Sequence, residues 1–155
     1  MRALLLVLVL ALAGCTTEVG GAPVESSSAP SSVDVAVPIE MRPVTADGAT
    51  VLADPATGES LKLADPIMTI RRLDGAEVTN DNGLWALNLD LNTQDAKTFA
   101  DWTTAHTGER LAIVIDDEVV VAPTIQSAIT GGEVQISGDY TRNDVDKLLA
   151  RISGR

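Results

Sequence analysis

Basic residues are scarce in this 155-residue sequence: 11 Lys and Arg stand against 22 Asp and Glu, so the formal charge is 11 − 22 = −11. A surface for duplex nucleic acid is not expected, because attraction to phosphates requires clustered Lys and Arg. The single cysteine excludes a fold held together by several disulfides. Only 3% of the residues are aromatic and 45% are hydrophobic, so the core must be built from aliphatic side chains. The length fits one modest domain.

The N-terminus has the pattern of an export signal. Arg2 precedes an uninterrupted run of small and aliphatic residues at 3–13, which is shorter than the roughly 20 residues that cross a bilayer but suits a signal peptide. The sequence Leu-Ala-Gly-Cys that ends at Cys15 resembles the lipobox of bacterial lipoproteins. That resemblance implies that 1–14 is a signal peptide and that Cys15 is the first mature residue, acylated by fatty acids such as palmitate. The alternative is an ordinary secretory signal with a chance cysteine.

The next segment predicts a tether. Residues 15–35 are rich in Ser, Pro and Gly and contain no basic or aromatic residue, so they offer too little apolar surface to offset chain entropy. We expect a disordered linker of about twenty residues, with a root-mean-square span of roughly 25 Å. The folded domain is predicted to occupy 36–155.

Periodicity within this domain predicts the fold class. Alternation at 85–91 indicates a half-buried strand, and apolar residues at helical spacing indicate amphipathic helices at 93–105 and from Thr141 to Ile152. Further strands are predicted at 39–44, 67–73, 111–115, 119–121 and 134–137, with a short hairpin near 57–58. Short turns favour antiparallel pairing, and two helices with one apolar stripe each cover one face. The expected class is α+β, a mainly antiparallel sheet with both amphipathic helices on one face.

Four spaced motifs then resemble one family. They are GERLAIVID at 108–116, VVAP-x-I at 120–125, I-x-GG-x-VQI-x-G at 129–138 and LLA-x-I-x-G at 148–154. Their order resembles the head subdomain of the first large periplasmic domain of SecD and SecDF protein-export subunits. The resemblance is strong over 108–154 and looser upstream. It implies a SecD head-like fold for 36–155.

The resemblance also implies a function. No later segment matches the membrane spans with which SecD and SecF couple proton flow to export, so we expect a binding module, without catalysis or cofactor, rather than a motor. Such a lipoprotein would sit on the extracytoplasmic face of the cell membrane and contact secreted polypeptides or envelope and translocase proteins, for example by strand addition at an open sheet edge. The alternative is an accessory lipoprotein that binds a small ligand or ion. An enclosed pocket would favour the alternative, and a groove beside an unpaired strand would favour the binding module.

Few residues are candidates for chemistry. Residues 116–118 form the densest acidic cluster, and a solvated hairpin tip explains them better than a Ca²⁺ or acid–base site. Residues 79–83 lack the glutamate of a calcium loop and predict a turn. His106 is the only histidine and is expected to be exposed near a helix end. The sequence therefore predicts no catalytic residue and no metal site.

The aromatic residues are the remaining candidates. Trp85 shares the inward parity of its strand and is expected in the core, whereas Trp102 lies beside an apolar helical stripe. Amphipathic aromatics often anchor interfaces. The candidate partner-binding residues are Trp102, Tyr140, Asp116 and Asp117.

Overall fold

A six-stranded antiparallel sheet organises this computed structural model, which describes residues 32–155. The elements in chain order are β1 Val33–Pro43, β2 Thr50–Ala53, β3 Ser60–Leu63, β4 Met68–Asp81, β5 Leu84–Leu91, α1 Thr93–Ala105, β6 Leu111–Ile115, β7 Glu118–Val121, β8 Glu133–Ser137 and α2 Arg142–Ser153. The strands are ordered β7-β6-β1-β4-β5-β8, and β2 and β3 form a separate hairpin. β7 and β8 are thus the edges of the main sheet.

The N-terminal predictions lie outside the described residues. These are the signal peptide at 1–14, the lipidated Cys15 and the tether as far as residue 31. β1 begins at Val33, so the folded domain starts before the predicted boundary at Ala36.

Both helices pack on the same face of the sheet. α1 buries Phe99, and α2 buries Leu148 and Ile152. These side chains share one core with the inward residues of the strands: Ile39, Met41, Ile70, Leu87, Leu89, Ile113, Ile115, Val134 and Ile136. The predicted α+β class is confirmed, including the placement of both helices on one face.

The helices have the predicted bounds because each begins at a cap. The Asn92 side chain accepts hydrogen bonds at 3.1 Å from backbone N–H groups in the first turn of α1. Thr141 and Asp144 form a reciprocal capping box at α2. Hydrogen bonds from the side chain and backbone of Thr141 lower the pKa of Asp144. Caps of this kind stabilise a helix by about 1 kcal/mol.

The β2–β3 hairpin covers part of the opposite face. Leu61 and Leu63 of β3 pack against Ala112 and Val114 of β6 and Val119 of β7 in a second cluster. β6 is therefore buried on both faces, which explains its uninterrupted apolar sequence. The predicted hairpin near 57–58 is confirmed.

β4 is longer than predicted and continues to Asp81. It joins β5 through Asn82 and Gly83, whose φ values of 52° and 90° suit a tight hairpin turn. The turn predicted at 79–83 is therefore confined to these two residues, and 79–81 pair with β5 as part of β4. The prediction that Trp85 lies in the core is wrong in part. Its ring is only partly buried, and the Arg142 guanidinium covers it at 5.4 Å from the ring centroid.

Candidate functional site at the edge of strand β8

The outer edge of β8 presents free backbone groups. The N–H of Leu91 donates to the carbonyl of Gly132 at 2.8 Å. Because antiparallel bonding alternates, the same register turns the backbone of Val134 and Ile136 towards β5. The intervening residues direct their N–H and C=O groups outward, where no other described residue bonds them: Glu133, Gln135 and Ser137. β8 is an open edge in the part of the chain that the structure describes.

Side chains occupy two backbone carbonyls at the opposite edge, at β7. The Tyr140 hydroxyl donates to the carbonyl of Val120 at 2.8 Å. The Arg110 Nε donates to the carbonyl of Ala122 at 3.2 Å. A polypeptide strand can therefore pair with β8 more readily than with β7.

The C-terminal ends of β7 and β8, with the residues that follow each strand, enclose a cleft of about 340 Å³. Val120–Pro123 form one wall and Ser137–Tyr140 form the other. The turn of the β2–β3 hairpin, at 54–56, supplies the third side. We call this space the edge cleft.

Tyr140, a predicted partner-binding residue, lies in the edge cleft and is half-buried. Burial is the main reason that its pKa is raised above 10.0, and the negative charges of Asp144 and Asp54 add to this effect. The hydroxyl consequently stays protonated and keeps donating to Val120 well above neutral pH.

Tyr140 is the only tyrosine, so its ionisation can be followed directly by tyrosinate absorbance. We expect its titration midpoint to lie above that of the chain unfolded in urea. The pKa of Tyr140 is higher in the folded chain than in the unfolded one. Its protonated hydroxyl therefore contributes fully to the free energy of unfolding below about pH 10, and this contribution is lost as pH rises through the folded pKa. Equal midpoints in the folded and unfolded chain would contradict the buried, hydrogen-bonded geometry.

An ion pair fixes the third side of the edge cleft. Asp54 is only 4% exposed; one carboxylate oxygen accepts from Arg110 Nη2 at 2.7 Å and the other from the backbone N–H of Ala56 at 2.9 Å. Arg110 also lies 3.3 Å from Glu59. Sequence reasoning missed this pair, although Arg110 stands in the first of the four family-like motifs, because no local pattern connects it with Asp54.

A small apolar cavity opens under the β8 edge. Its volume is about 80 Å³, which suits one small aliphatic side chain. It is lined mainly by apolar residues, most of them in the core: Met41, Phe99, Leu111, Ile113, Pro123, Ile125, Ile129 and Val134. Glu133 and Gln135 of β8 complete the lining. A side chain that enters here from the edge would contact the hydrophobic core.

Trp102 lies outside the edge cleft, on α1. Its ring stacks on His106 with centroids 4.3 Å apart, and His106 Nδ1 lies 2.7 Å from the carbonyl of Trp102. His106 occupies the predicted position at the end of α1, but the stacking leaves it only partly exposed.

Asp116 and Asp117 form the turn between β6 and β7 and do not line the edge cleft. Both have positive φ, 56° and 59°, and both are exposed. Arg151 of α2 reaches Asp116 at 3.4 Å and Glu118 at 2.8 Å. The structure therefore brings Tyr140 alone of the four predicted partner-binding residues to the edge cleft.

No group of three or more His, Cys, Asp or Glu side chains in 32–155 is arranged to hold a metal ion. Within the same residues, no helix combines the length and apolarity needed to cross a membrane.

The sequence is similar to part of a known protein family. A family described as "SecDF, P1 head subdomain" matches residues 49–154. The protein translocase subunit SecD of Rhodobacter capsulatus is 40% identical over 75 residues, covering 48% of this chain and 14% of that protein. SecD of Acetobacter pasteurianus is 33% identical over 108 residues, covering 65% of this chain and 20% of that protein. The chain therefore spans about a fifth or less of these relatives.

Solved structures show the same similarity. One, described as a membrane component SecDF that enhances protein export, aligns with a TM-score of 0.60 and 26% identity, covering 77% of this chain and 63% of that one. SecDF from Thermus thermophilus, described as a translocon-associated membrane protein, aligns with a TM-score of 0.53 and 26% identity, covering 76% and 19%.

Proposed function

The chain belongs to the SecDF P1 head subdomain family, and from this premise we propose that it is a non-catalytic binding module for protein export, which takes up extended segments of secreted polypeptides at the β8 edge. The observation that carries the proposal is the row of outward N–H and C=O groups at Glu133, Gln135 and Ser137. Main-chain hydrogen bonds to an added strand need little sequence specificity, which suits a module that meets many exported chains.

The surroundings of β8 support uptake on one side only. Tyr140 and Arg110 occupy carbonyls of the facing edge, so an incoming strand would compete with two existing hydrogen bonds there and with none at β8. Its residues would alternate between the two faces of the sheet. Those on the helix face would reach the apolar cavity beside Val134.

The shape of the edge cleft favours polypeptide over a small ligand. The space is open to solvent at the end of β8, whose outer edge has no neighbouring strand, whereas a ligand site would be expected to enclose most of its ligand. Trp102, Asp116 and Asp117 remain candidate contacts for an envelope or translocase protein, since they lie on other surfaces.

A lipid anchor at Cys15 completes the proposal. Acylation there would hold the domain at the extracytoplasmic face of the cell membrane and raise its effective concentration near emerging chains. The support is the lipobox-like sequence that ends at Cys15. Incorporation of a labelled fatty acid, abolished by Cys15→Ser, is the expected result.

Strand addition can be tested by removing one outward N–H. Proline is tolerated on an edge strand where its missing N–H faces solvent, so Gln135→Pro should fold and yet block pairing. We expect it to weaken binding of a short fluorescein-labelled peptide by about tenfold or more, since one lost hydrogen bond and the ring's bulk together cost about 1.4 kcal/mol. The probe alternates valine with threonine and carries one lysine; fluorescence anisotropy measures its affinity.

The matched control is Gln135→Thr, which loses the same side chain, including its 3.0 Å hydrogen bond to Asn88, but keeps the backbone N–H. It should bind the peptide within about twofold of the unaltered chain. Equal losses in the two variants, with both folded by circular dichroism, would show that the backbone edge is not the binding element.

A further inference from the structure

Two carboxylates oppose each other at the β8 edge. Asp90 of β5 and Glu133 of β8 are direct cross-strand partners, at a pair without hydrogen bonds between the two backbones, where side chains approach most closely. Like charges in this position are destabilising. A cation beside them would relieve that repulsion.

The folded chain supplies no such cation among its described residues. No Lys or Arg of 32–155 lies within salt-bridge distance of Asp90 or Glu133, whereas Asp54, Asp116 and Glu118 each have an arginine partner. The Asp90 carboxylate leans over Gly75, where any side chain would collide with it. Gly75 lies on β4, so Asp90 leans away from the edge and leaves Glu133 as the carboxylate nearest to an added strand.

The surrounding sheet face carries the same sign of charge. This face lies opposite the helices and, along β4 and β5, its register also includes Glu77 and Asp81. Neutral residues separate the acids on this part of the face: Gly75, Thr79, Ala86, Asn88, Gln135 and Ser137. An incoming strand would therefore meet negative potential on one face and the apolar cavity on the other.

We propose that the strand taken up at β8 carries Lys or Arg at the position that faces Glu133 and an aliphatic residue at the next position. This inference rests on the proposed function and specifies the class of segment that the edge prefers. In an added strand, the residue opposite Glu133 shares its face of the sheet, so a basic side chain there lies beside Glu133, with the Asp90 carboxylate one strand further from the edge. The neighbouring residue points to the helix face, towards the cavity at Val134.

The size of the preference follows from the exposure of the site. Glu133 is exposed, and exposed pairs contribute between about 1.4-fold and 5-fold in affinity, falling as salt screens the charges. We expect peptide affinity in the order Lys, Gln, Glu at the variable position. The spread between Lys and Glu should shrink when the salt concentration is raised.

Three otherwise identical fluorescein-labelled peptides, with Lys, Gln or Glu between two valines, test this preference on the full chain. Glu133→Gln should reduce the spread between Lys and Glu peptides, and Asp90→Asn should reduce it less. The control Asp65→Asn removes an exposed acidic charge from the β3–β4 connection and should leave the spread unchanged.

The remaining outcomes separate the two proposals. Equal affinity for the three peptides would overturn the charge preference and leave strand uptake intact. Binding of none of them would overturn strand uptake, and the preference with it. If Glu133→Gln self-associates in sedimentation while the preference for Lys persists, the carboxylates guard the edge against pairing between copies, and the charge preference is wrong.

Discussion

Arg110→Met should lower the free energy of unfolding by about 3 kcal/mol, because it leaves the Asp54 carboxylate buried without a counter-charge. Asp54 is 4% exposed, and its carboxylate lies 2.7 Å from Arg110 Nη2. Arg110 keeps about a third of its side chain in solvent, so we take the lower end of the range for broken buried pairs. Urea unfolding followed by tryptophan fluorescence measures the change.

Two further variants identify burial as the cause. Arg72→Met removes an arginine whose partner Asp34 is 90% exposed at 3.7 Å, and this change should cost less than about 0.5 kcal/mol. Adding Asp54→Asn to Arg110→Met removes the unpaired charge and should recover part of the loss. A loss of similar size in the two arginine variants would mean that Asp54 is not held as the structure has it.

The same substitution also reaches the edge cleft. Arg110 donates to the carbonyl of Ala122, so its loss frees a backbone acceptor on the β7 edge. The 54–56 turn, which forms the third side of the cleft, loses its attachment as well. We therefore expect Arg110→Met to lower stability and also to weaken the proposed preference of an added strand for β8 over β7.

Local sequence patterns predicted the helices and strands whose bounds are set by residues close together along the chain. The caps at Asn92 and Thr141 and the apolar spacing of α1 and α2 lie within a few residues of each other, so the helix bounds could be read from the chain. The continuous aliphatic run at 111–115 likewise predicted the strand β6, whereas its cover on the second face, by the β2–β3 hairpin, is seen only in the structure.

The second half of β4 could not be read in this way. Residues 74–81 contain Asp, Gly, Glu and Asn, which are poor strand formers, and only Ala76 and Val78 turn towards the core. Their strand structure comes from pairing with β5, a tertiary effect. The pattern alone therefore predicted a strand that ended at Leu73.

The candidate site depends on still longer-range order. The sequence predicted an open sheet edge but not the strand that provides it. The strand order decides this: β8 lies beside β5 at one end of the sheet, and β7 lies beside β6 at the other end. Tyr140 could be named as an amphipathic aromatic, yet its hydroxyl meets Val120 only after the sheet has formed. Tyr140 and Val120 are far apart along the chain and follow no repeating spacing. Hydrophobic periodicity therefore could not predict the edge cleft.

β5 connects this edge to the core, and Leu87→Ala should test the connection with a loss of about 3 kcal/mol in the free energy of unfolding. Leu87 is fully buried and pairs with Ile136 of β8, so truncation removes buried apolar surface and leaves a cavity that the rigid sheet cannot close. Leu84→Ala makes the same chemical change on the same strand at 67% exposure and should cost less than about 0.5 kcal/mol. Urea titrations of both variants give the comparison, with the slope of each transition as the check on cooperative unfolding.

Hydrogen exchange should then show faster opening at Val134 and Ile136 in Leu87→Ala alone. Equal losses of unfolding free energy in the two variants would contradict this connection. So would unchanged protection of β8 from hydrogen exchange in Leu87→Ala, because the order of the open edge would then not depend on the core beneath it.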